Sequence, residues 1–208
     1  MINISVMVSG GGSNLQALID GVADGRIGNA RIVLVISNRS GIYALERAEK
    51  AGIRSIVIGK EEYPDGEERA DAILAALIES QTDLVVTAGY TSIIHKKVCV
   101  AYAGHMINIH PALLPKFGGV GYYGMRIHRE VLEAGEKESG ATVHYVDDEG
   151  VDSGEIILQA RVPVFESDTP ETLQKRVLEE VEHPLIVKAA NKVVQKLEEE
   201  KNGGAASQ

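Results

Sequence analysis

Asn108 and His110 stand two residues apart in the apolar run from Met106 to Leu114, and Pro111 follows the histidine directly. In an extended strand a spacing of two puts both side chains on one face, so the amide and the imidazole would act on the same space. Such a pair can stabilise an oxygen that is gaining negative charge, and an imidazole can also act as an acid near neutral pH. The proline stops the strand and pushes the chain into an extended or turning segment, which predicts His110 at the strand's carboxyl end. A satisfied polar pair at a strand end is the plainer reading of the same residues.

A second chemical signal is SGGGSN, residues 9–14, between a strand-like run and a helix-like one. Backbone N–H groups and the helix dipole favour a phosphate at such a junction. A dinucleotide fingerprint is excluded: Leu15 stands where the third glycine would follow Gly12, and the second strand ends in Ser37 and Asn38 instead of an acid for ribose. The spacing therefore points to a single phosphate group. The alternative is a ligand-free glycine turn with Ser13 capping the helix.

The third signal is the acidic turn DDEGVDSGE, residues 147–155. It lacks the alternating oxygen ligands of a calcium loop, so no metal is expected there. One reading is a solvated hairpin turn. The other is that one of its acids faces His110, favours the protonated ring and holds it in place. Spacing does not choose between Asp148 and Asp152. His144, in ATVHYV, points either into the same crevice or into a polar pocket of the sheet.

The elements that would position these groups follow a clear rhythm. ISVMV, RIVLVIS, RSIVI, DLVVTAG and MINIH are nearly continuous in Val, Ile and Leu, and helix-like stretches separate the first four. That alternation predicts a single-domain α/β fold: a doubly wound, mostly parallel sheet with helices on both faces. ATVHYV and EIILQARVPVF lie close together and are expected as antiparallel strands at the C-terminal edge. A helix is expected over 126–134 and a last one from 170 to about 197, with a frayed tail over 199–208. Ligands of open α/β sheets bind outside the carboxyl ends of the strands, where both SGGGSN and the Asn108–His110 pair would lie.

Composition narrows the partners. The 208 residues carry 30 acids against 21 lysines and arginines, a net charge of -9, with no basic cluster to serve as a footprint for nucleic acid. No stretch approaches the roughly 20 apolar residues of a membrane span. Cys99 is the single cysteine, which fits a reducing compartment. MINISVMV has no basic leader, so a cytoplasmic location is expected. Binding to a membrane or to nucleic acid is not expected, and the chain is read as a monomer or weak homodimer.

Taken in order, SGGGSNLQALID, AGY at 88–90, NIHPALLP, GATVHYV and VDSGEIILQ resemble the folate-dependent formyltransferases, in particular the branch that formylates glycinamide ribonucleotide in purine biosynthesis. The resemblance runs over nearly the whole chain and implies a formyltransferase domain over 1–198. It places the ribonucleotide phosphate in the N-terminal half and the folate in the C-terminal half. It also implies 10-formyltetrahydrofolate as formyl donor, glycinamide ribonucleotide as acceptor, and no metal. Asn108, His110 and Asp152 match the family's catalytic three. Gly11, Gly12, Ser13 and Asn14 match its phosphate loop, and Glu182 the acid near the ribose. Tyr90, Thr91, Ser92, Ile93 and Ile94, with Asn108 and the turn of Asp148, Glu149, Gly150, Val151 and Asp152, match segments that grip the pterin; His144 would support them. Ser92 stands where many members have arginine and Thr91 where they have methionine. The glycine-rich segment FGGVGYYGMRI, residues 117–127, is longer than usual and would form either a partial lid or a surface loop. Hydrolysis of the same folate, or non-catalytic nucleotide binding, are the competing functions.

Overall fold

The computed structural model describes residues 1–205. Seven strands form one sheet in the order β3-β2-β1-β4-β5-β6-β7. β1 (Ile2–Val8), β2 (Ala30–Ser37), β3 (Ser55–Val57), β4 (Leu84–Thr87) and β5 (Met106–His110) are parallel. β6 (Glu138–Tyr145) and β7 (Ile156–Pro163) add antiparallel at the edge beyond β5, as the pattern predicted.

Every residue of β1 is buried. Its side chains alternate between the two faces, as a period of two requires. Ile4, Val6 and Val8 enter one apolar cluster with Leu15 and Leu18 of α1 (Ser13–Ala23) and with Ile186, Ala190 and Val194 of α7 (His183–Ala205). Met7 enters the other with Ile73 and Leu77 of α3 (Gly66–Glu79) and Val98 of α4 (Lys96–Ala101). α2 (Tyr43–Lys50), α5 (Met125–Glu133) and α6 (Pro170–Arg176) complete the layers. α1 approaches α7 closely because Gly21 has no side chain: a Cβ there would meet Val187 Cγ1 at 2.9 Å.

The last helical stretch differs from the expected single helix. Residues Val177–Glu182 form a π-helical turn between α6 and α7, with Pro184 just beyond it. The frayed tail is also corrected: α7 continues to Ala205, and 206–208 lie outside the described residues. The continuation is held from outside the helix, by Lys201 on Asp83 at 2.7 Å and by Glu198, which accepts from Asn29. α7 packs on α1, and the π turn packs on β6. Among the described residues no helix is long and apolar enough to cross a membrane.

The strand order turns around between β1 and β4, which share an edge while their connections run outward in opposite directions. That reversal opens a crevice above their carboxyl ends. The loops that follow β1, β4 and β5 all start at this rim.

Candidate active site

β5 delivers Asn108 and His110 to the crevice rim as a same-face pair. Its antiparallel neighbour sets His144 opposite Asn108 and Thr142 opposite His110. The open orientation of His144 is thereby settled: it faces the crevice. Asn108 Nδ2 meets His144 Nε2 at 3.1 Å, and His144 Nδ1 donates to the Tyr145 carbonyl at 2.8 Å. That second bond requires a proton on Nδ1.

Asp152, not Asp148, is the acid that faces the pair. Its Oδ2 lies 3.3 Å from His110 Nδ1, and its Oδ1 lies 3.4 Å from both His144 Nε2 and Asn108 Nδ2. Asp148 points away and pairs with Lys96 at 2.7 Å, which ties the acidic turn to the start of α4. Asp152 reaches inward because its backbone is left-handed, with φ 60. Aspartate tolerates that conformation better than most residues, and its use at a site is a recurring mark of function.

The electrostatics of the cluster oppose one another. Burial raises the Asp152 pKa most, yet His144, His110 and the Gly119 N–H together hold it below the usual carboxylate value. The Gly119 bond is 3.0 Å long. Burial, as the largest effect, lowers the pKa of His110; Asp152 and the Phe117 carbonyl oppose that shift without reversing it, and His144 adds to it. His110 Nε2 donates to the Phe117 carbonyl at 2.8 Å, and the ring is only 4% exposed. Behind it His128 of α5 is 1% exposed, its Nδ1 has no partner, and burial with the nearby His110 lowers its pKa to about 4. The glycine-rich segment after Lys116 thus touches the site at Phe117 and Gly119.

Some members of this arrangement were not read from the sequence. Thr87, the last residue of β4, donates to Asn108 Oδ1 at 2.6 Å and so fixes which way the amide points. Its signal was a lone hydroxyl ending an apolar strand. Thr142 and Gln159 brace the proline-flanked turn after His110: Thr142 Oγ1 donates to the Ala112 carbonyl at 2.7 Å, and Gln159 Nε2 donates to Thr142 Oγ1 at 2.8 Å.

The second half of the site lies after β1. Gly12, not Ser13, caps α1; it is left-handed with φ 70, and no side chain satisfies the first N–H groups. Ser13 is therefore the first residue of α1 and not its cap. Asn14, in the first turn of α1, donates to Glu182 Oε2 at 2.8 Å across 168 residues of sequence. Glu182 ends the π turn, is buried, and has its pKa raised by that burial despite the Asn14 bond. π turns of this kind recur at functional sites.

Tyr90, Thr91, Ser92, Ile93 and Ile94 follow β4 at the same rim. The Thr91 N–H donates to Ser9 Oγ at 2.8 Å, joining this segment to the glycine loop, and Ser92 Oγ accepts from Asn38 Nδ2 at 2.7 Å. Ile93 is exposed, and Ile94 and Tyr90 pack against the second core cluster. Asn108 and Asp152 belong to the polar cluster at the end of β5, whereas Glu149, Gly150 and Val151 lie on the exposed side of the turn.

Residues 2–190 match the formyl transferase family. The chain is 41% identical over 190 residues to the phosphoribosylglycinamide formyltransferase of Haemophilus influenzae, covering 90% of this chain and 86% of that protein. It is 47% identical over 175 residues to the trifunctional purine biosynthetic protein adenosine-3 of Drosophila pseudoobscura, of which it spans 12%. The crystal structure of glycinamide ribonucleotide transformylase 1 from Symbiobacterium toebii superposes with a TM-score of 0.87 at 41% identity, covering 94% of this chain and 89% of that one.

Proposed function

Because this chain belongs to the formyl transferase family, we propose that it transfers the formyl group of 10-formyltetrahydrofolate to the amine of glycinamide ribonucleotide, in the cytoplasm, as a step of purine biosynthesis. The observation that carries the reading is the meeting of Asn108, His110 and Asp152 at the same strand ends as an uncapped glycine loop and the buried Asn14–Glu182 pair. The first cluster suits acyl transfer. The second suits a ribose phosphate, which a formate-releasing hydrolase would not need.

The acceptor amine attacks the formyl carbon, a new C–N bond forms, and the carbonyl oxygen takes up the electron pair. Asn108 Nδ2 and a ring N–H of His110 are the donors for that oxygen. Burial lowers the pKa of His110 against the pull of Asp152. The developing anion supplies a second negative charge beside the ring, and with Asp152 on Nδ1 it favours the imidazolium at that moment. Collapse of the intermediate breaks the bond to the folate nitrogen, and the proton lost by the amine goes to that nitrogen. Nε2 must leave the Phe117 carbonyl to reach a substrate oxygen, so the segment after Lys116 acts as a partial lid. Tyr90 to Ile94 and the Asp148–Asp152 turn hold the pterin, with the Lys96–Asp148 pair fixing the turn.

The test is the absorbance change as 10-formyltetrahydrofolate loses its formyl group. Turnover that requires glycinamide ribonucleotide supports the proposal; turnover without it indicates hydrolysis, and no turnover refutes both.

A further inference from the structure

Beside the glycine loop lies a cation that the proposed chemistry leaves unused. The first turn of α2 presses on the loop: the Ala44 N–H donates to the Gly10 carbonyl at 3.2 Å, and a Cβ on Gly12 would sit 2.6 Å from Ala44 Cβ. One turn further along α2, Arg47 therefore lies over the loop. Its Nε donates to the Gly11 carbonyl at 2.9 Å and its Nη1 to Gln16 Oε1 at 3.0 Å. A guanidinium has five N–H groups in a planar fork, so these bonds leave donors to spare. The Tyr43 ring supports the group, 4.7 Å from its centroid.

Among the described residues no carboxylate pairs with Arg47, whereas Arg26, the other arginine of the same groove, is held by Asp24 at 2.7 Å. The groove, of about 460 Å³, is lined by Ser13, Gln16, Arg47, Glu179 and His183 among others. The start of α1 here has no acid in its first turn and no side-chain cap, so its N–H groups remain available. Asn14 is 7% exposed and its Oδ1 has no hydrogen-bond partner. Asp20 and Glu179 also line the groove, and both would repel an anion. An unpaired arginine in that company offsets them and presents a fork that matches phosphate oxygens.

We propose that Arg47 is the side-chain ligand of the acceptor's 5-phosphate and sets the preference of this site for a phosphorylated over an unphosphorylated ribosyl glycinamide. This rests on the ribonucleotide reading of the site. Without Arg47 the phosphate would face Asp20 and Glu179 in a groove whose other guanidinium, that of Arg26, is already held by Asp24.

Formyl transfer is measured with glycinamide ribonucleotide and with its dephosphorylated riboside, for the intact chain and for Arg47→Ala and Arg47→Lys. Arg47→Ala should raise KM for the ribonucleotide about tenfold to a hundredfold, the worth of a charge-assisted hydrogen bond. KM for the formyl donor and kcat/KM for the riboside should stay within about twofold, and Arg47→Lys should recover part of the loss. An unchanged ribonucleotide KM overturns the inference. So does an equal loss on both acceptors, which would mark a misshapen loop. Calorimetry with ribose 5-phosphate and ribose separates this failure from failure of the function. Binding that favours the phosphate and depends on Arg47, in a chain that formylates neither acceptor, keeps the arginine and refutes the acceptor. Equal binding of both probes by the unaltered chain refutes the arginine.

Discussion

His128 gives the protein an acid-sensitive interior that can be measured apart from catalysis. The side chain is 1% exposed, its Nδ1 lacks a partner, and burial followed by the neighbouring His110 brings its pKa to about 4. In the unfolded chain the ring titrates near its ordinary value of about 6.5. Between those two values the unfolded state binds the proton and the folded state does not, so stability falls as pH falls through this window. From 6.5 to about 4, at 1.36 kcal/mol per pH unit, the loss approaches about 3 kcal/mol. The perturbation is His128→Leu, which removes the titrating ring and the unpartnered nitrogen. Urea unfolding of both proteins at a series of pH values from about 7.5 to 4 reads the difference. Near pH 7 the two should be within about 1 kcal/mol, because replacing an unsatisfied polar group by an apolar one is nearly neutral. Near pH 4.5 the variant should be the more stable by about 2.5 kcal/mol. His183 also has a lowered pKa and bends both curves alike, whereas His110, which is coupled to His128, shares in the difference between them. Parallel curves would refute the reasoning and mean that the ring is charged or hydrated in the folded state.

Three further outcomes follow from the site. His110→Ala and Asp152→Asn should fold normally and lose about a hundredfold to a thousandfold in turnover, the usual cost of one oxyanion donor; steady-state kinetics beside thermal unfolding checks both halves of the statement. Thr87→Val keeps the shape of β4 but frees the Asn108 amide to rotate, so kcat should drop about tenfold with KM values little changed, and unaltered kcat would show that His144 alone orients it. Gly12→Ala puts a Cβ 2.6 Å from Ala44 at a left-handed position, which should cost about 1–3 kcal/mol of stability and raise KM for the ribonucleotide more than for the folate.

What could be read in advance divides by the range over which each signal acts. The parallel sheet follows from nearly continuous apolar runs separated by helix-like stretches, and the same-face placement of Asn108 and His110 from a period of two and a proline, all local features. The choice of Asp152 over Asp148 was closed to such reasoning because it depends on a left-handed backbone at one residue and on Lys96 drawing Asp148 away. His144 required the register of β6 against β5, in which a slip of one residue would have turned it to the opposite face. The π turn was hidden for a different reason. Nothing in the composition or spacing of Val177–Glu182 marks it off from the regular helices on either side. Yet the turn ends at Glu182, which is buried and bonded to Asn14. A regular helix from Pro170 would rotate whatever follows the turn by about 100° per skipped residue. The irregularity that sequence periodicity misses is thus tied to the contact between the two ends of the chain, and both lie in the half of the site proposed for the ribonucleotide.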